Sequence, residues 1–125
     1  MKNFLHYSKF LLGSFFIFAG ISHFANTPFF LKIVPPYLPY PLLLVYVSGI
    51  AEVLLGGSLL FRQTQKWAAW GIIILLIAVF PANIYMAQHP ELFPEFAKIG
   101  LYFRLPIQGL LILWVYQFTK KAPAR

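Results

Sequence analysis

The sequence has no cysteine and few charged residues. The absence of cysteine excludes disulfides, a thiol redox relay and a cysteine-ligated metal, so any redox role must be indirect. Charged residues make up 10% of the chain, whereas a soluble domain has about a quarter. This is too little polar surface to face water on all sides. Lipid is therefore expected to cover much of the molecule.

Apolar residues fill most of the 125-residue chain, since 60% of it is hydrophobic and its mean hydropathy is +0.74. They fall into four runs, each near the length of about 20 residues that a membrane-spanning helix needs. The sequence predicts an all-α integral membrane four-helix bundle, a single domain over residues 1–125. The predicted spans are residues 9–26, 42–61, 67–88 and 101–119.

The first apolar run also has features of a signal peptide, with a basic start and small residues near Ala19 and Gly20. Cleavage there would leave three spans and discard His23. We therefore favour a helix that stays in the protein.

Five prolines occur between the first two spans, in residues 26–41, a segment that is otherwise apolar and aromatic. A helix cannot continue through so many prolines. The sequence predicts an apolar loop that lies in the membrane interface or folds back over the bundle. It leaves open whether this loop covers a pocket.

The net charge of +7 does not indicate nucleic-acid binding, because the basic residues lie at the ends of apolar runs. Lys32, Lys98 and Arg104 lie on one side of the predicted bundle. The other side has seven basic residues: Lys2, Lys9, Arg62, Lys66, Lys120, Lys121 and Arg125. The positive-inside rule then predicts cytoplasmic termini and a multi-pass protein of the bacterial-type inner (plasma) membrane.

Polar side chains inside the predicted spans are the main functional clue, because such residues are costly at bilayer depth. In the predicted topology they occupy one layer in the outer half of the bundle, with Glu52 at its inner boundary. All four spans contribute to this layer, whose candidate site residues are His23, Ser48, Glu52, Asn83, Arg104 and Gln108.

Helical spacing places members of this layer on shared faces. Ser48, Glu52 and Gly56 recur at every fourth residue, as do Arg104 and Gln108. Gly49 and Gly57 are expected to widen the stripe on the second span and to let a neighbouring helix approach closely. Glu52 is expected to pair with Arg104, with His23 or with both.

Two prolines also lie beside the polar residues. Pro81 and Pro106 each remove a helical hydrogen bond near Asn83 and Gln108. The polar side chains can serve the carbonyl groups that are left without a partner.

The polar layer has three interpretations. It can fix the packing of the helices, bind a small ligand or a lipid head group, or take part in catalysis or proton movement. A metal site is not expected, because the predicted topology places His6 and His89 near opposite interfaces. No catalytic set is assigned.

Five segments of the chain resemble the DoxX-like membrane proteins. They are FAGISHF, IVPPYLPYP, SGIAEVLLGGSLL, FPANIYMA and YFRLPIQGLLILWVY, in the expected order and covering most of the chain. The resemblance implies a compact four-helix membrane bundle in which His23, Glu52, Asn83 and Arg104 are a family feature of unassigned role. Members of that family are associated with quinone-linked thiosulfate oxidation, with detoxifying membrane complexes and with the assembly of receptor channels.

The expected function is therefore that of a small accessory protein of DoxX type, not an enzyme on its own, with a polar pocket towards the outer face. One alternative is an oxidoreductase component that binds a quinone or another apolar molecule. A small transporter is a further alternative. Membrane lipid is an expected partner, whereas a quinone cofactor, a protein partner in a membrane complex and a homo-oligomer are left open.

Overall fold

A computed structural model of the protein describes residues 2–94 and 98–120, and this part of the chain is helical with no strand. Within these two ranges five α-helices follow one another, with a 3-10 turn at Pro90–Leu92 and another at Gln117–Thr119. The helices are α1 (Lys2–Ala25), α2 (Thr27–Ile33), α3 (Pro41–Leu59), α4 (Gln65–Gln88) and α5 (Lys98–Tyr116).

Four of these helices, α1, α3, α4 and α5, are long and apolar enough to cross a membrane. The predicted all-α class is confirmed, and each of the four spans corresponds to one long helix. The largest difference in bounds is at α1, which begins at Lys2 and not near residue 9.

A short helix, α2, lies in the segment that was predicted to be a loop. The prediction was wrong for Thr27–Ile33, because the only proline there, Pro28, lies in the first turn of the helix. A first-turn proline is tolerated, since the N–H groups at that position have no helical acceptor. Three later prolines, Pro35, Pro36 and Pro39, lie in the non-helical segment between Val34 and Tyr40, and the fourth, Pro41, begins α3.

Glycines bring α1 and α3 into close antiparallel contact. A methyl group on Gly20 would lie 2.5 Å from the carbonyl oxygen of Gly49, and one on Gly13 would lie 2.7 Å from that of Gly56. Each helix thus offers two glycines seven residues apart, which lets the two backbones touch. The prediction for Gly57 was wrong, because a methyl group there would meet nothing within 4 Å.

Two apolar clusters lie at opposite ends of the bundle. The first cluster joins all four long helices, and the second joins α2 to α4, α5 and the connection between them. The buried residues of the first cluster are Leu12, Phe16, Leu59, Ala68, Ala69, Ile72, Ile73, Leu76, Val115 and Phe118. Those of the second cluster are Ile33, Met86, Phe93 and Leu101.

Polar contacts also tie the helices together near the first cluster. Lys9 is 2% exposed, and its Nζ donates to Oε1 of the buried Gln65 at 3.0 Å. Trp114 Nε1 donates to Ser8 Oγ at 3.0 Å and links α5 to α1. The sequence placed Lys9 in the charged flank of the first span, but the helix extends beyond it and the structure buries it.

Candidate functional site

A cavity of about 530 Å³ lies between the two apolar clusters. Its wall shares Phe16 and Leu76 with the first cluster and Ile33 with the second. All six of the predicted site residues line it: His23, Ser48, Glu52, Asn83, Arg104 and Gln108. The other lining residues are apolar, so the cavity is an apolar space with a few polar groups on its wall.

His23 and Glu52 form the polar part of the wall between α1 and α3. His23 Nε2 lies 3.2 Å from Glu52 Oε2, and both side chains are nearly buried. The other ring nitrogen of His23, Nδ1, lies 2.8 Å from the carbonyl oxygen of Ala19. A carbonyl oxygen can only accept, so Nδ1 carries a hydrogen and donates it. Nε2 is therefore the ring nitrogen that faces the carboxyl group of Glu52.

A chain of hydrogen bonds forms the polar part of the wall between α4 and α5. Arg104 Nε donates to Asn83 Oδ1 at 3.4 Å, and Asn83 Nδ2 donates to Gln108 Oε1. Gln108 Nε2 then donates to the carbonyl oxygen of Leu76. Each amide thus uses its oxygen to accept and its nitrogen to donate, which fixes the orientation of both side chains.

Among the described residues, no hydrogen bond or ion pair links the two polar parts of the wall. Glu52 pairs with His23, as one form of the prediction had it, but the described part of the chain shows no ion pair between Glu52 and Arg104. The structure gives Arg104 a different partner, Asn83 on the neighbouring helix α4. Of the two partners that the sequence offered for Glu52, the described residues therefore show His23 and not Arg104.

A polar side chain does bond a carbonyl group near Pro81, but it is not the carbonyl group that Pro81 leaves without a donor. Pro81 has no N–H, so it leaves the carbonyl of Ile77 without its helical donor. Gln108 donates to the preceding carbonyl, that of Leu76.

Several lining residues come from the proline-rich segment, which the sequence did not assign to the site. The ring of Phe30 on α2 stacks on the ring of His23, with centroids 4.1 Å apart and planes at 16°. Val34, Pro35 and Leu38 also line the cavity. The segment therefore covers the cavity. No sequence signal marks Phe30, because many aromatic residues surround it in the chain.

Some polar groups on the wall have no protein partner among the residues that the structure describes. The hydroxyl group of Ser48 and Oε1 of Glu52 make no hydrogen bond there, and Arg104 uses only Nε. These groups can bind a molecule in the cavity. Within the described ranges, no group of three or more histidine or acidic side chains could hold a metal ion.

In size and in the composition of its wall, the cavity resembles small-molecule sites in proteins. Such sites have volumes of about 300–1,000 Å³ and mostly apolar walls with a few fixed polar groups. The arrangement can bind an apolar body, donate from a guanidinium and hold a proton at the pair formed by His23 and Glu52.

Comparison with known proteins gives a family and no assigned activity. No curated protein and no solved structure matches the chain. Residues 12–119 match the domain of unknown function DUF8561, and this range covers all of the cavity lining. The chain therefore belongs to the DUF8561 family.

Proposed function

We propose that the protein is a multi-pass membrane protein that binds a small molecule with an apolar body in the cavity. The observation that carries this proposal is the convergence of six polar side chains from four helices on one otherwise apolar cavity. The outside of the bundle supports membrane insertion, because large apolar side chains such as Phe18, Leu54 and Ile74 are more than half exposed. In water such a surface would cause aggregation.

The proposed orientation places both termini in the cytoplasm. The middle of α1 meets the end of α3, the start of α4 and the end of α5 at the first cluster. Four basic residues of the described chain flank this end: Lys9, Arg62, Lys66 and Lys120. The cavity and α2 then lie towards the outer face. A bacterial-type inner membrane is part of the same proposal.

The proposed role is that of an accessory protein, in keeping with the resemblance to DoxX-like proteins. The described chain leaves little mass outside the four long helices, so it has few means of holding a soluble substrate. We propose that the bound molecule and the exposed helices serve a redox-associated or other membrane complex.

Native mass spectrometry of the protein in mild detergent tests whether the cavity binds a molecule. We expect a stoichiometric small molecule on the wild-type chain and its loss in Glu52→Gln. Glu91→Gln is the matched control, because Glu91 is exposed and does not line the cavity. A wild-type chain that carries only scattered phospholipid would contradict the proposal and leave the polar residues as links between helices.

A quinone-binding redox component is the second candidate function, and the pair of His23 and Glu52 favours it. Quinone reduction takes up protons, and the imidazole and carboxyl groups of this pair, each of which can carry a proton, line the cavity. The chain has no thiol, so a partner protein would supply the electrons. A bound quinone in the extracted protein would favour this candidate, and a bound molecule that takes up no protons would exclude it.

A further inference from the structure

The guanidinium of Arg104 lies at the edge of the cavity, and it has N–H groups that bond to no described residue. Its Nε donates to Asn83, and its two terminal nitrogens make no hydrogen bond in the part of the chain that the structure describes. Arg104 is exposed on the bundle and also lines the cavity. It lies five residues after the start of the apolar stretch at Ile99, or about 7.5 Å along the helix. That depth is within reach of the membrane interface for a long side chain.

The seam between α1 and α5 is a route into the cavity. α1 packs on α3 and α5 packs on α4, and α1 and α5 do not pack extensively on one another among the described residues. The bond from Trp114 to Ser8 links them only near the first cluster. Farther along, Phe15 and Ile107 line the cavity and are each about half exposed, at 53% and 51%.

The chemistry of these groups selects a class of ligand. A guanidinium offers two parallel donors that fit a carboxylate or a phosphate, and bonds to an anion are about twice as strong as bonds to a neutral oxygen. The apolar wall next to Arg104 fits a hydrocarbon chain. Among the described residues Glu52 forms its ion pair with His23, on the other polar part of the wall, and none with Arg104.

We propose that the ligand is an amphiphile with an apolar chain and an anionic oxygen head group, which enters through the seam and is bound by the terminal nitrogens of Arg104. This rests on the proposed function, since it requires that the cavity binds a small molecule. A free fatty carboxylate and an anionic phospholipid share this chemistry, and the test separates them.

The first experiment compares two probes of equal chain length, laurate and 1-dodecanol, by calorimetric titration of the full chain in mild detergent. We expect the wild-type protein to bind laurate about ten times more tightly than 1-dodecanol, because the anion gains the charge-assisted bonds. Arg104→Gln removes this preference and leaves the binding of 1-dodecanol. Arg104→Lys keeps part of it, because the charge remains without the planar pair of donors.

The seam is tested with a matched pair of substitutions on α5. Ile107→Trp, where the seam meets the cavity wall, slows the association of both probes in stopped-flow mixing, a rate that depends on the entry route as an equilibrium affinity does not. Leu110→Trp changes neither, because Leu110 is 64% exposed and does not line the cavity. This pair decides the entry route even where a substitution of Arg104 prevents folding. Equal effects of the two substitutions would overturn the route through the seam.

Transfer of the wild-type protein to lipid nanodiscs identifies the source of the head group. Laurate binding that persists in phosphatidylglycerol indicates a free carboxylate. Laurate binding that is blocked by phosphatidylglycerol, and not by phosphatidylcholine, indicates the phospholipid. Either result supports an anionic head group at Arg104.

Two results would overturn the inference, and they differ in what else they affect. Equal affinity of the wild-type protein for laurate and 1-dodecanol would exclude recognition of the head group and would leave the cavity as a binding site. Failure to bind either probe, in detergent or in nanodiscs, would overturn the proposed function as well.

Discussion

At the scale of single residues, two separate groups of polar side chains on the cavity wall link neighbouring helices. His23 and Glu52 join α1 to α3, whereas Arg104, Asn83 and Gln108 join α5 to α4. In apolar surroundings a polar group that loses its partner is left with a desolvation cost of about 1–3 kcal/mol. The stability losses of the two single substitutions should therefore sum to more than the loss on simultaneous removal of both partners.

A double-mutant cycle on His23 and Glu52 tests the first group. We expect His23→Phe and Glu52→Leu each to lower the free energy of unfolding by about 1–3 kcal/mol. The double variant should lose less than the sum by about 1 kcal/mol or more, because no unpaired polar group remains. The measurement is reversible unfolding in mild detergent.

The control is a second cycle that combines Glu52→Leu with Arg104→Gln. Since the structure shows no contact between these two side chains among its described residues, their effects should add to within about 0.5 kcal/mol. Strong coupling in this cycle would show that Glu52 pairs with Arg104 after all.

Gln108 links two partners at once, and its removal tests the second group. Gln108→Leu leaves the amide nitrogen of Asn83 and the carbonyl of Leu76 without it, and we expect it to cost about 1–3 kcal/mol of stability. Gln88→Leu is the matched control, since Gln88 is exposed near the end of α4. Equal melting temperatures in the two variants would argue against the hydrogen-bond chain.

At the scale of helices, α1 and α3 form a close pair because glycines let their backbones touch, and α4 and α5 form a second pair. The cavity lies between the pairs, where polar and apolar side chains face one another across a space that packing does not fill. The first cluster holds one end of the pairs together, and α2 covers the other end.

Alanine substitutions test the close approach of α1 and α3. Gly20→Ala and Gly56→Ala should lower stability by about 1–3 kcal/mol, because the added methyl group would overlap a backbone oxygen and neither helix can give way cheaply. Unfolding in detergent measures the effect.

Gly57→Ala is the control on the same helix, and its effect should have the opposite sign. A methyl group there meets nothing, and alanine favours a helix over glycine by about 0.5–1 kcal/mol. Stabilisation by all three substitutions would contradict the glycine contact between the helices.

At the scale of the whole molecule, the proposed topology follows from the distribution of basic residues, and the absence of cysteine makes it simple to test. Single cysteines can be placed in the natural sequence with no background thiol. Tyr37 and Gln63 are both exposed and lie in connections at opposite ends of the long helices.

We expect Tyr37→Cys to react with a membrane-impermeant maleimide in intact cells. Gln63→Cys should react only after permeabilisation, because the basic turn that contains it is retained on the cytoplasmic side. The gel shift of the labelled chain is the measurement. The reverse pattern would invert the topology and place the cavity towards the cytoplasm.

The sequence by itself determined the four long helices and the six polar residues that the cavity wall contains. Uninterrupted apolar runs set the helices, and polar residues within them stand out because they are costly in apolar surroundings. All six candidate residues line one cavity.

Only the tertiary structure decided how these residues pair. A helix that is apolar on nearly every side does not mark in its sequence which face meets which neighbour, so the rotation of each helix about its axis follows from packing alone. That rotation places Glu52 against His23 and Arg104 against Asn83. It also turns Gly56, and not Gly57, towards α1. The burial of Lys9 and the stacking of Phe30 on His23 depend on contacts between distant segments in the same way.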